Sequence, residues 1–125
     1  MLHEKITEKI IGAAFRVYNQ LGFGFLESVY KKSLLIELEK QGIPAKEEVA
    51  ITVFYDQLPV GYFIADIIVD DAVIVALKSV QNLAIIHEVQ LVNYLTAIKT
   101  ETGLLINFGA NGVEVKRKFR KFKQE

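Results

Sequence analysis

In the stretch IADIIVDDAVIVALKSV, residues 64–80, an acid (Asp66) stands inside one apolar run and a lysine (Lys78) ends the next. A carboxylate between Ala65 and Ile67 in a two-sided apolar strand needs a partner, because an unpaired buried charge is strongly disfavoured. Lys78 or a metal ion would serve. An acid and a lysine two residues apart on one strand point to the same face, so the carboxylate can hold a cation while the ammonium balances negative charge nearby. The residue two before Lys78, however, is Ala76. The stretch reads either as a metal site lacking one ligand or as a hairpin that never had one.

Parity within the two runs narrows the geometry. Ile67, Val69, Val73, Val75 and Leu77 occupy odd positions, whereas Asp66, Ile68, Ile74, Ala76 and Lys78 occupy even ones. Asp66 and Lys78 share a face only if an odd-length loop joins the strands. A three-residue loop, Asp70-Asp71-Ala72, pairs Val69 with Val73 and sets Asp66 opposite Ala76. A two-residue Asp-Asp turn pairs Asp66 with Val75 and separates it from Lys78. With both faces so apolar, the sheet is expected to be covered on both sides.

The elements that must position these residues follow from hydrophobic period. Ile6, Ile10, Ala13, Ala14, Val17 and Leu21 make one stripe of a helix over Glu4 to Leu21. Gly22 and Gly24 allow a tight connection into a second helix, about Leu26 to Gln41, with Val29, Leu34, Leu35 and Leu38 inward and Gly42-Ile43-Pro44 ending it. Three antiparallel strands are expected at Val49 to Tyr55, Val60 to Val69 and Ala72 to Lys78. A helix over Leu83 to Lys99 comes next, then closing strands at Gly103 to Phe108 and Val113 to Phe119 around turn residues 109–112. The predicted order is ααβββαββ, a helical hairpin followed by a β-sheet flanked by helices, with no internal repeat.

At 125 residues and 51% hydrophobic, the chain fits one domain, residues 1–125, with a real core. A basic-then-apolar leader, an 18-residue apolar run and cysteine are all missing from the sequence, which leads us to expect a cytoplasmic protein without membrane contact, disulfides or cysteine-bound zinc. The zero net charge conceals an asymmetry. Residues 116–125 hold six of the fifteen Lys/Arg and one acid, a local +5 that leaves −5 on residues 1–115. Lys116, Arg117, Lys118, Arg120, Lys121 and Lys123, interleaved with Phe119 and Phe122, could follow a phosphate backbone and stack on bases of DNA or RNA. The alternative is a solvated end whose two phenylalanines dock on the core. Self-association is left open.

GFLESVY at residues 24–30 matches a GxxExxY signature, and the match continues through ADIIV, an apolar strand ending in Lys78, HEVQLVNYL and GLLINFGANGVEVKR. On these motifs the chain resembles the GxxExxY family of the PD-(D/E)XK nuclease-like group. The resemblance implies an α/β (α+β) fold with a restriction-endonuclease-like core and a mixed sheet, and a Mg2+-dependent (or Mn2+-dependent) nucleic-acid phosphodiesterase ancestry. Gly24, Glu27 and Tyr30 carry the signature. By that resemblance Asp66 is the first metal ligand, Glu27 a helix carboxylate assisting it, and Lys78 the group that orients water or stabilises developing charge. Gln90 and Tyr94, four apart on one helix face, form the QxxxY element that positions substrate or supports the lysine.

The departure from the pattern is Ala76, where the family places Glu. A methyl group at that position removes a metal-coordinating carboxylate. Glu88 lies two residues from Gln90, about 200° around the helix, and Asp70 lies four strand residues from Asp66, about 13 Å away, so neither replaces it. The resemblance therefore implies a hydrolase fold whose metal affinity is weak and whose catalysis is impaired or lost. The competing class is a non-catalytic binding or assembly module on the same fold. Individually, Glu27 can serve a helix N-terminus, Tyr30 the core, Lys78 a solvated strand end and His87 a partly buried structural role.

Overall fold

The computed structural model describes residues 3–120. Two helices, α1 (Glu4–Leu21) and α2 (Glu27–Lys40), precede three strands, β1 (Ala45–Tyr55), β2 (Leu58–Val69) and β3 (Val73–Lys78). Helix α3 (Ile85–Ile98) and strands β4 (Thr102–Gly109) and β5 (Gly112–Phe119) complete the order ααβββαββ. Among the described residues no helix is long and apolar enough to cross a membrane.

The local signals act as the sequence requires. Gly22, with φ 70°, ends α1 and donates its N–H to the Tyr18 carbonyl at 2.8 Å, a positive-φ conformation that glycine adopts without Cβ strain. Asp56 and Gln57, both at positive φ, make the two-residue turn between Tyr55 and Leu58, the conformation that matches strand twist in tight hairpins. The β2–β3 connection is the three-residue one: Val69 pairs with Val73, and Asp70 and Asp71 both take positive φ.

The five strands form one sheet in sequence order, antiparallel except for the β3–β4 pair. Parallel neighbours need a crossover, and α3 supplies it. A mixed sheet is what the resemblance implied, but hydrophobic period does not report strand direction and so did not say which pair is parallel. Val73 to Leu77 are buried on both faces of the sheet. Odd residues Val73, Val75 and Leu77 join Leu104, Ile106 and Phe108 against α1 and α2, while even residues Ile74 and Ala76 join Leu105, Leu91 and Leu95 of α3. Gly103 makes the close approach of α3 to β4: a Cβ there would stand 2.9 Å from the Leu91 Cδ1.

Candidate functional site

Three elements converge on a cavity of about 200 Å³ between the sheet and α3. β2 contributes Ile64 and Asp66, β3 contributes Ala76 and Lys78, and α3 contributes His87, Gln90, Leu91 and Tyr94, with Leu105 of β4 in the wall. Asp66, Lys78, Gln90 and Tyr94 thus meet around one space, with Ala76 in its lining. Larger clefts, about 630 Å³ beside Leu35 and Glu47 and about 720 Å³ beside Phe54 and Asn93, hold no such pairing of a strand acid with a strand lysine.

The partner of Asp66 is one that the sequence did not foretell. Regular β2–β3 pairing stops at Ile67 opposite Val75, and the Asp66 Oδ2 accepts the Leu77 backbone N–H at 2.8 Å. Leu77 is 1% exposed, so its amide would otherwise be an orphan donor in the interior. The carboxylate therefore continues the ladder where the strand leaves it. Its Oδ1 has no hydrogen-bond partner among the described residues. Lys78, the last residue of β3, is half-buried and makes no ion pair among them.

Helix α3 presents one face through its spacing. His87, Gln90 and Tyr94 fall at i, i+3 and i+7, so they share a side. Tyr94 stacks on Phe63 with centroids 3.9 Å apart and planes at 11°, which pins the helix to β2. His87, read from sequence as structural, lines the same cavity; its three-residue interval from Gln90 was the available signal. Its Nδ1 accepts the Ala84 N–H at 3.1 Å, so in the neutral ring the proton sits on Nε2 as a hydrogen-bond donor.

Glu27 stands apart from this group. It is exposed, opens α2, and does not line the cavity. Tyr30 explains much of the signature instead. The ring is fully buried, stacked on Phe108 at 4.3 Å. Its hydroxyl donates to the Gly22 carbonyl and accepts the Phe25 N–H at 3.3 Å. It thereby shapes the loop in which Gly24, at φ 116°, needs to be glycine. Ser79 Oγ, one residue past Lys78, donates to the Phe25 carbonyl at 2.7 Å, tying that loop to the end of β3. Tyr30→Phe keeps the stacking and leaves the Gly22 carbonyl and the Phe25 amide without this partner, so it should destabilise the fold by about 1–3 kcal/mol. An unchanged denaturation midpoint would show that water replaces the hydroxyl at no cost.

A second buried clamp fixes the chain after Lys78. Asn107, fully buried and in register with Lys78, accepts the Val80 N–H and donates to the Val80 carbonyl, both at 2.9 Å. It also donates to Glu114 Oε1 at 2.9 Å.

Two ion pairs lie outside the cavity lining. Lys31 of α2 lies 2.8 Å from Glu48 of β1. The Glu48 hydrogen bond, opposed by burial and aided by the charges of Glu48, Glu47 and Asp66, holds its ammonium above the ordinary lysine range. On β5, Lys116 and Lys118 pair with Leu105 and Gly103 and so face α3. Lys118 binds Glu88 at 2.6 Å, and that hydrogen bond is the main reason the Glu88 carboxyl titrates below its usual range. Residues 116–119 of the basic segment are thus the outer half of an edge strand, and Phe119 is 43% exposed rather than docked. Arg117 and Arg120 are exposed; Lys121, Phe122 and Lys123 lie outside the described residues.

A divalent cation does not fit this donor set. Among the described residues Asp66 offers one oxygen without a hydrogen-bond partner, Ala76 offers no ligand, and Glu27 does not line the cavity. Among the described residues no three His, Cys, Asp or Glu converge closely enough to hold a metal. Mg2+ binds through several oxygen ligands in near-octahedral geometry, which one carboxylate beside Lys78, His87, Gln90 and Tyr94 does not provide.

The comparisons agree with the architecture. Residues 4–121 match the PD-(D/E)XK nuclease superfamily. No curated protein matches the chain. Three solved chains match; among them is the crystal structure of SSO0001, with TM-score 0.61 and 17% identity over 78% of this chain. The alignment spans only 52% of the SSO0001 chain, and at that identity it speaks for the fold alone, a restriction-endonuclease-like α+β core. The match over nearly the whole length, on a fold of that type, means that the chain belongs to the PD-(D/E)XK nuclease superfamily.

Proposed function

We propose that this chain is a GxxExxY-type member of the superfamily that binds nucleic acid through its phosphates and has lost metal-dependent hydrolysis. The observation that carries the reading is Ala76, whose methyl lies in the wall of the cavity shared by Asp66 and Lys78. Two-metal and one-metal phosphodiesterases need carboxylates to concentrate divalent charge at the scissile phosphate, and here one strand acid remains, hydrogen-bonded to an amide.

The binding half of the proposal rests on cations sharing one side of the sheet. The register runs Ala76–Leu105–Lys116 across β3, β4 and β5, so Lys116 faces the same side as Lys78, roughly 12 Å from it by strand spacing. The His87 Nε2–H and the Gln90 amide are further donors at the same mouth, suited to phosphate oxygens. The test is a paired assay on single-stranded and duplex DNA and RNA. Binding should weaken steeply as salt rises, and with Mg2+ or Mn2+ the wild type should cleave no faster than Asp66→Asn. Cleavage that depends on both Asp66 and metal would overturn the loss of hydrolysis; salt-insensitive or absent binding would overturn the phosphate contact.

A further inference from the structure

The cleft of about 720 Å³ between the β1–β2 hairpin and the C-terminal half of α3 has a lining that the proposed phosphate contacts do not use. Val53 and Phe54 both line it. Consecutive residues of a regular strand point to opposite faces. The register shift between Val53 and Phe54 is the irregularity that brings both to one space. Phe54 is 62% exposed and stacks on no other ring among the described residues, so the wall carries an aromatic face without a partner. Phe63 and Tyr94, stacked on each other, supply further aromatic wall. The ionised groups of the lining have one sign: Lys99, exposed where α3 closes, and Arg120, with no acid among the described residues of the cleft. The cleft beside Leu35, by contrast, carries Glu39 and Glu47.

We infer that this cleft takes one unpaired nucleotide of the bound strand, its base stacked on Phe54 and its phosphate against Lys99. The inference rests on the proposed nucleic-acid binding and deepens it by naming where a base, rather than a phosphate alone, is held. A flat ring answers the exposed aromatic face, and an anion joined to that ring answers the cations. Tyr94 belongs to the walls of both this cleft and the Asp66 and Lys78 cavity, so the two spaces adjoin at one side chain. From Gln90 at the cavity to Ala97 at the cleft, α3 rises roughly 10 Å, and a single strand laid along the helix reaches both. Asn93, exposed on that stretch, offers an amide donor and acceptor for a base edge. A paired base inside a duplex has its faces covered by its neighbours, so the cleft adds to the phosphate contacts only where a base is unstacked.

The sequence contains no tryptophan, so Phe54→Trp places a single indole fluorophore at the cleft. Its emission should be quenched by a single-stranded oligonucleotide and not by an abasic strand of equal length and charge. In anisotropy titrations Phe54→Ala should weaken single-strand binding by about tenfold or more, the effect of one stacked base, and leave the abasic strand and a blunt duplex bound as by wild type. Phe54→Leu, apolar but not flat, should behave like Phe54→Ala, whereas Phe54→Trp should bind as tightly as wild type. Lys99→Gln should lower the logarithmic salt slope for the single strand by roughly 0.7. Equal quenching by the two strands, single-strand binding that Phe54→Ala leaves unchanged, or a salt slope indifferent to Lys99→Gln would overturn the base site. A wild type that binds neither strand nor duplex would instead defeat the proposed function, so the two failures are distinguishable.

Discussion

Ala76→Glu is expected to turn a domain with little or no response to divalent cations into one that binds Mg2+ or Mn2+. Ala76 is 8% exposed and lines the cavity with Asp66 and Lys78, so a carboxylate placed there enters a low-dielectric space next to an existing negative charge. Without metal the variant should lose stability, by about 1–3 kcal/mol, from desolvation and repulsion. With metal at a hundredfold excess over its dissociation constant, linkage returns about 2.7 kcal/mol, enough to offset most or all of that loss. Calorimetry and thermal melts of both proteins with and without Mn2+ measure the two halves separately. Turnover is the secondary readout, since it also requires Lys78 and Gln90 to keep the geometry of a working site. Equal metal responses in the two proteins would sink the claim that Ala76 stands where a ligand is missing.

The second large effect concerns the basic strand end. Neutralising Lys116, Arg117, Arg120, Lys121 and Lys123 to glutamine should lower affinity for duplex DNA by about two to three orders of magnitude at low salt and flatten the salt dependence, because each phosphate contact releases condensed counterions. The single change Lys116→Gln should reduce the logarithmic salt slope by about one. Lys118→Gln is the internal control: its ammonium is engaged by Glu88 at 2.6 Å, so its loss should change the slope least. Substitution is preferable to truncation, because residues 116–119 pair with Thr102 to Leu105 in the sheet, and removing them would unmask β4. Identical slopes for wild type and the five-fold variant would show that these cations do not touch phosphate.

The sequence by itself determined what depends on neighbours a few residues away. The helical stripe of α1 and the glycine stop at Gly22 are local. So is the alternation that puts Ile67, Val69, Val73, Val75 and Leu77 on one side, because side-chain period is a property of short segments, whereas the choice of the Asp70-Asp71-Ala72 loop over a two-residue turn came from the tertiary structure. The grouping of Asp66, Ala76 and Lys78 followed from that parity once the loop length was fixed, and the grouping of Gln90 with Tyr94 followed from helical spacing.

Only the tertiary structure decided which groups complete each other's bonding. The Asp66 carboxylate meets the Leu77 amide because β2 parts from β3 there, and no pattern in either strand encodes where a twisted pair separates. Lys31 and Glu48 are 17 residues apart on a helix and a strand, and Tyr30 and Phe108 meet across most of the chain. The direction of β4 beside β3 was decided by the α3 crossover. These are contacts between surfaces that exist only after the elements pack, and their energies depend on burial and on charges brought close by the fold, quantities that residue order does not contain.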